Sequence, residues 1–179
     1  LARVARSEIF EVGARDAERV EIAVRSVCAH DGSPASASAR AKITSTWRAM
    51  ETLQRSGRTK SIGVSNHLRP HLDELVPAAE IVPAVNQIEL HPYLQSRALV
   101  DHCRDQKIQI EAWSPLMKGR DLLTDPLLVQ IARAHARTVA QVVLRWEVQS
   151  RIVTIPKSVH RERIIENAAI FDFTLTDAQ

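Results

Sequence analysis

The sequence predicts an α/β protein built on parallel strands, and two observations carry that prediction. First, four short apolar runs end in residues that hydrogen-bond, stack or carry charge. They are Ser61-Ile62-Gly63-Val64-Ser65-Asn66, Ala84-Val85-Asn86-Gln87, Ile110-Glu111-Ala112-Trp113-Ser114-Pro115-Leu116 and Val153-Thr154-Ile155-Pro156-Lys157-Ser158. Second, each run is followed by a helix-like pattern, so from residue 43 onward the order reads α-βα-βα-β-αα-βα. Alternation of this kind implies a parallel sheet with right-handed crossovers. Ligand sites in (β/α) barrels and related sheets gather at the C-terminal ends of the strands, where these polar residues lie.

Residues 1–42 are the least patterned part. Ile9-Phe10 suits the start of a strand, and Ala17, Val20, Ala23, Val24 and Val27 put a helical stripe on Asp16 to Val27. Asp31 to Ala41 is small, polar and turn-rich, and reads as a connector. Organisation begins at Ile43, which shares one helix face with Trp47, Met50 and Leu53. Gly57 stands where that helix needs a C-terminal cap. Strand 61–65, helix Pro70 to Ala79, strand Pro83 to Leu90, helix Ser96 to Gln106 and strand Ile108 to Ala112 follow. Asp125-Pro126 offers an N-cap with proline at the first helical position, opening a helix through Leu127, Leu128, Ile131 and Ala134. Thr138-x-x-Gln141 is a capping-box pattern ahead of Val142, Val143, Trp146 and Val148. Strand 152–156 and helix 162–169 close the readable part.

Composition narrows the classes. Lys+Arg 24 against Asp+Glu 21 gives a net charge of +3, with the cations scattered. No basic stripe or aromatic platform points to nucleic acid. Cys28 and Cys103 are too few for a disulfide framework, which favours a reducing, cytoplasmic setting. No apolar stretch approaches the roughly 18 residues of a membrane span, and no signal-peptide pattern opens the chain. GxGxxG and P-loop patterns are absent. His91-Pro92-Tyr93 invites a metal or acid–base reading, but no second histidine or carboxylate stands at ligand spacing. His102-Cys103 reads as ordinary helix surface, and Glu111 as a strand residue with a buried partner. The chain opens at Leu1 and stops in what reads as the start of a helix, the pattern expected of a fragment.

From Thr46-Trp47 onward, the stretches GRTKSIGVSN, IVPAVNQIELHPYLQ, IQIEAWSPL, RTVAQVVLRW and VTIPKSVHRERIIEN resemble the second half of an aldo-keto reductase, of the 2,5-diketo-D-gluconate reductase-like kind. The resemblance implies a (β/α)8 TIM-type barrel, of which residues 43–179 would be a partial barrel of about the last four β/α units. It also implies an NADPH-dependent oxidoreductase acting on aldehydes or ketones of small metabolites or sugars. By that resemblance Ser65, Asn66 and Gln87 hold the nicotinamide carboxamide, which needs donor and acceptor together. Trp113 stacks on the nicotinamide ring, and Ser114 and Leu116 meet the pyrophosphate. Lys157, Ser158 and Arg163 clamp the 2′-phosphate, as fixed cations and a hydroxyl would, and Glu166 and Asn167 contact adenine. Read singly, Asn66 and Gln87 also suit strand-end caps, Trp113 suits packing, and Lys157 and Arg163 suit solvated helix-start charges.

The catalytic half of the family pattern is not recognisable. Such enzymes protonate the carbonyl through a tyrosine hydroxyl, with a lysine and an aspartate lowering its pKa and a histidine placing the carbonyl. The single tyrosine, Tyr93, falls at a non-catalytic position, and the first lysine, Lys42, lies in the connector. After Ile9-Phe10 the family gives Thr-Thr-Lys; here stands Glu11-Val12-Gly13. His30, in Cys28-Ala29-His30-Asp31-Gly32, lacks the expected strand and Trp-Pro. The first half of the barrel therefore reads as truncated or diverged, with no catalytic residue assigned. Ala136 replaces a helix-ending glycine, Val139 and Arg161 replace helix-opening prolines, and His160 replaces a better N-cap. The alternatives are a non-catalytic remnant that binds NADPH or another protein, and a fragment whose unpaired edge beside strand 61–65 drives self-association.

Overall fold

The computed structural model describes residues 22–26, 37–119 and 121–179, and the expectations for Ile9-Phe10, Cys28 and His30 lie outside them. The described elements divide into two compact units. The first holds β1 (Ile22–Ser26), α1 (Ala37–Arg55), β2 (Ser61–Ser65), α2 (Arg69–Ala78), the first part of β3 (Val85–Glu89) and most of α3 (Arg97–Asp105). The second holds Ile88–Arg97, most of β4 (Gln109–Trp113), α4 (Pro126–Ala134), α5 (Val139–Gln149), β5 (Val153–Thr154) and α6 (Arg161–Ala168).

In the first unit β1 pairs parallel to β2, Ile22 opposite Ser61, and β2 pairs parallel to β3, Ser65 opposite Gln87. This corrects three expectations. Ile22–Ser26 is a strand, where a helical stripe over Asp16–Val27 was expected. Ile22 and Val24 are β-branched, and a strand there satisfies the backbone groups along one side of β2. The edge beside strand 61–65 is therefore paired, so self-association through it loses its basis. Helix α1 begins at Ala37, inside the expected connector, because Ala37, Ala39 and Ala41 favour helix strongly.

Trp47 and Met50 of α1, Leu72 and Leu75 of α2, and Val100 and Cys103 of α3 are buried with Ile62, Val64 and Val85 of the strands. Leu53, expected in the same stripe, stays exposed, and Glu51 is buried instead. Its carboxylate accepts the backbone N–H groups of Glu80 and Ile81 at 2.8 and 2.9 Å, while Trp47 Nε1 donates to the Ile81 carbonyl at 3.0 Å. Helix α1 thus holds the turn that feeds β3. Gly63 in β2 is a steric requirement: a Cβ there would sit 2.3 Å from a Val85 methyl and 2.8 Å from the Val85 carbonyl oxygen.

Four helices end in the same double hydrogen bond around one left-handed residue. After α1, Gly57 (φ 73°) lets Arg58 N reach the Leu53 carbonyl at 3.1 Å. After α3, Lys107 (φ 60°) lets Ile108 N reach Cys103 O at 2.8 Å. After α4, Ala136 (φ 50°) lets Arg137 N reach Ala132 O at 2.9 Å. After α5, Arg151 (φ 58°) lets Ile152 N reach Glu147 O at 2.9 Å. Each is a Schellman stop, which glycine makes most cheaply.

In the second unit β4 and β5 are parallel, Glu111 opposite Val153. The expected strand 152–156 shortens to Val153–Thr154, since Pro156 has no N–H to give a ladder. Asp125 caps α4 by accepting from Leu128 N at 3.0 Å. Thr138 and Gln141 form the expected capping box on α5 at 3.1 and 3.2 Å. Ile131, Ala132, Val142 and Leu175 make a core joined by Val139, Trp146 and Phe173, whereas Leu127, expected in the α4 stripe, is exposed. No helix among the described residues is long and apolar enough to cross a membrane.

Glu147 of α5 is fully buried, and neither carboxylate oxygen has a well-aligned hydrogen-bond partner among the described residues. Burial pushes its pKa from an ordinary 4.5 up to about 8, with the Thr154 hydroxyl opposing part of the rise. The folded chain therefore keeps a proton that the unfolded chain releases, and stability falls as pH rises from the unfolded value to about 8. The cost at pH 7 is roughly 3 kcal/mol. Glu147→Gln should flatten this loss, read as urea midpoints for both proteins at pH 5 and 7.5; an equal decline in both would refute it. Ala136→Gly should raise stability by about 0.5–1 kcal/mol by relieving the left-handed alanine, and thermal unfolding showing no gain would count against that strain.

Candidate functional site

In the first unit the ends of β2 and β3 bring Ser65, Asn66 and Gln87 together. Ser65 Oγ donates to the Gln87 carbonyl at 3.1 Å, and Asn66 N donates to the same oxygen at 2.8 Å. Asn66 has a left-handed backbone (φ 54°), a conformation asparagine tolerates better than most residues. Ser65 is buried, and Asn66 and Gln87 are half-buried. Two carboxamides beside a hydroxyl offer donors and acceptors at neighbouring strand ends, which suits a planar amide ligand.

Behind them stands a residue that sequence reasoning did not single out. Asn86 is fully buried. Its Nδ2 donates to the His67 carbonyl at 2.8 Å and to Cys103 Sγ at 3.8 Å, and its Oδ1 accepts from His67 N at 3.3 Å. His67 Nδ1 lies 3.0 Å from the Ser65 carbonyl and must donate to it, which fixes the tautomer. Burial lowers the pKa of His67 against the opposing pull of that carbonyl, which favours the neutral ring. Burial also pushes the Cys103 thiol up, the Asn86 amide opposing.

In the second unit β4 delivers Trp113, half-buried, into a loop with successive left-handed residues: Ser114 (φ 55°), Met117 (φ 47°), Lys118 (φ 57°) and Gly119 (φ 72°). Two turn bonds hold it, Met117 N to Ser114 O at 2.9 Å and Gly119 N to Leu116 O at 2.7 Å. Non-glycine residues in this region carry strain of the kind concentrated at ligand sites. The Ser114 hydroxyl is buried with no hydrogen-bond partner among the described residues. A buried hydroxyl of this kind needs a partner, and a phosphate oxygen is one acceptor that fits it.

In the segment after β5, Lys157 is exposed and Ser158 half-buried, its Oγ accepting from His160 N at 3.1 Å. His160 makes no side-chain cap on α6, so among the described residues the first backbone N–H groups of that helix lack a side-chain acceptor. Arg163 is exposed on its first turn. Glu166 is already engaged, its Oε1 accepting from the Thr138 hydroxyl at 2.6 Å, while Asn167 is half-buried.

The remaining polar groups divide plainly. Tyr93, half exposed, donates to Asp125 Oδ2 at 2.6 Å. That bond raises the phenol pKa and lowers that of Asp125, the opposite of what a tyrosine acid needs. His91 is buried with its pKa lowered by burial, Nε2 3.8 Å from a Glu89 oxygen. Among the described residues no group of three or more His, Cys, Asp or Glu stands ready to hold a metal. His102, expected at the surface, is largely covered and pairs with Asp73 at 3.3 Å.

Residues 18–179 match the family model described as the aldo/keto reductase family. Glyoxal reductase of Bacillus subtilis is 55% identical over 135 residues, covering 75% of this chain and 49% of the relative. Morphine 6-dehydrogenase of Pseudomonas putida is 46% identical over 145 residues, covering 74% and 49%. A crystal structure of a Gox0644 mutant in complex with NADPH superposes with a TM-score of 0.74 at 46% identity, covering 78% of this chain and 51% of that one. The chain spans about half the length of the curated relatives it matches.

Proposed function

The chain belongs to the aldo/keto reductase family, and we propose that residues 43–179 are the C-terminal half of its barrel, carrying the NADPH-binding strand ends of an oxidoreductase that reduces small aldehydes or ketones in the cytoplasm. The uncapped start of α6 carries the cofactor assignment. Lys157 and Arg163 flank it, Ser158 lies beside it, and its free N–H groups favour an anion. A 2′-phosphate dianion meets all three kinds of group, and NADH offers none. Ser65, Asn66 and Gln87 would orient the carboxamide, Trp113 would cover one ring face, and Ser114 with Leu116 would meet the pyrophosphate. Asn167 would contact adenine, with Glu166 contributing the oxygen that Thr138 leaves free. The bound cofactor supplies the hydride; this chain supplies orientation and charge.

The proton for the carbonyl would come from a tyrosine that this chain does not place. Tyr93 is held by Asp125 with its pKa raised. The isolated chain is therefore proposed to bind cofactor without turnover, as general acid catalysis alone is worth about 10²–10⁴-fold. Steady-state assays on an aldehyde panel should show only background, and ordinary turnover abolished by changing Tyr93 would reverse this.

Two charge-assisted contacts give an expected preference for NADPH over NADH of about 10²–10⁴-fold. Titration monitored by Trp113 fluorescence should show it in the wild type and show it reduced in Arg163→Ala. Equal affinities in the wild type, or an unchanged ratio in the variant, would dismiss the clamp.

A further inference from the structure

We propose that Asn86 is the positioning residue for the nicotinamide end of the cofactor, clamping the Ser65-Asn66-His67 turn so that Asn66 presents its carboxamide in one orientation. The inference rests on the cofactor reading above and extends it to a residue that itself contacts no cofactor.

The turn has few ways to hold its shape. Asn66 sits in a left-handed conformation, which costs an L-residue roughly 1–2 kcal/mol, so neighbouring contacts must fix it. Its own N–H goes to the Gln87 carbonyl. On the far side, both backbone groups of His67 are taken by one side chain: Asn86 Oδ1 receives the N–H at 3.3 Å and Asn86 Nδ2 gives to the carbonyl at 2.8 Å. An amide is the neutral side chain that carries donor and acceptor in one plane, so it completes His67 as a neighbouring strand would. The His67 ring then returns to the Ser65 carbonyl at 3.0 Å, closing the loop of contacts around Asn66.

Asn86 is itself aimed by its surroundings. It is fully buried, and Cys103 Sγ, also fully buried, receives the second amide hydrogen at 3.8 Å. Asn86 and Gln87 are consecutive in a strand, so their side chains leave opposite faces. Gln87 thus lies on the face opposite Asn86, which reaches α3 and the turn. Removing the amide strands two buried backbone groups at His67 and releases Asn66 from its constraint.

The test uses the full chain with two variants, Asn86→Ser and Asn86→Asp, the second keeping an acceptor for His67 N. Each is titrated with NADPH and with 2′-phospho-ADP-ribose, the same molecule without nicotinamide. In the wild type NADPH should bind more tightly than the fragment. In both variants that advantage should fall by roughly tenfold or more while fragment affinity stays unchanged. Amide hydrogen exchange at Asn66 and His67, measured without ligand, should accelerate in the variants and stay unchanged in α5.

An undiminished NADPH advantage in folded variants, or unchanged exchange at the turn, overturns the proposal. Loss of fold in both variants assigns Asn86 to general stability and overturns it as well. A wild type that binds neither molecule refutes the cofactor reading; one that binds both equally refutes the nicotinamide role alone.

Discussion

Parallel strands impose one requirement on which the rest depends: every helix must stop within a residue or two and release the chain into the next strand. For α1, α3 and α5 a left-handed stop meets it, while α2 ends at Ala79 in an extended conformation. At Gly57, Lys107 and Arg151 the residue after the stop bonds to the carbonyl five residues earlier, inside the helix, and β2, β4 and β5 begin shortly afterwards. Because the stop fixes where a strand begins, it also fixes which residue ends it. The polar ends Ser65-Asn66, Trp113-Ser114 and Lys157-Ser158 are placed by helix terminations at the opposite end of each strand.

These stops explain what was legible in the sequence and what was not. Gly57 marked its helix end openly, and the Asp125-Pro126 and Thr138-x-x-Gln141 caps gave their helices to within a residue. Lys107 and Arg151 occupy the same conformation without glycine, so no residue type announced them; the cost is absorbed by the two bonds each makes possible. The start of α1 was missed for a different reason. Small residues in Asp31–Ala41 suggested a linker by composition, yet the alanines among them carry the highest helix propensity. The strand over Ile22–Ser26 depends on the pairing offered by β2, a long-range contact that local periodicity does not contain.

Site residues were legible where they ended a strand and obscure where they stood behind one. Ser65, Asn66 and Gln87 stand at adjoining strand ends, and the register of β2 with β3 brings them together. Asn86 did leave a signal. Two polar residues in succession break the alternation of a strand, and a polar residue on the buried side needs a partner. Glu147 left none, since a glutamate in a helix is ordinarily solvated; only the packing of α5 and β5 shows it buried.

The two groups of residues proposed to meet the cofactor, one in each unit, are held by different physics. The Ser65-Asn66 turn is enclosed by buried groups, with Asn86, Cys103 and His67 all nearly inaccessible, so its polar bonds are not contested by water. Helix α6 buries none of its residues. It is tied down by Gln141 Nε2, which gives to the Glu166 and Ala169 carbonyls at 3.2 and 2.9 Å, and by the Thr138–Glu166 bond. Hydrogen bonds each contribute modestly, and a helix held mainly by them, with no buried residue of its own, opens at lower free energy than one packed into a core. A phosphate on its uncapped N-terminus would add the missing restraint, so the adenosine end is the one expected to tighten on binding.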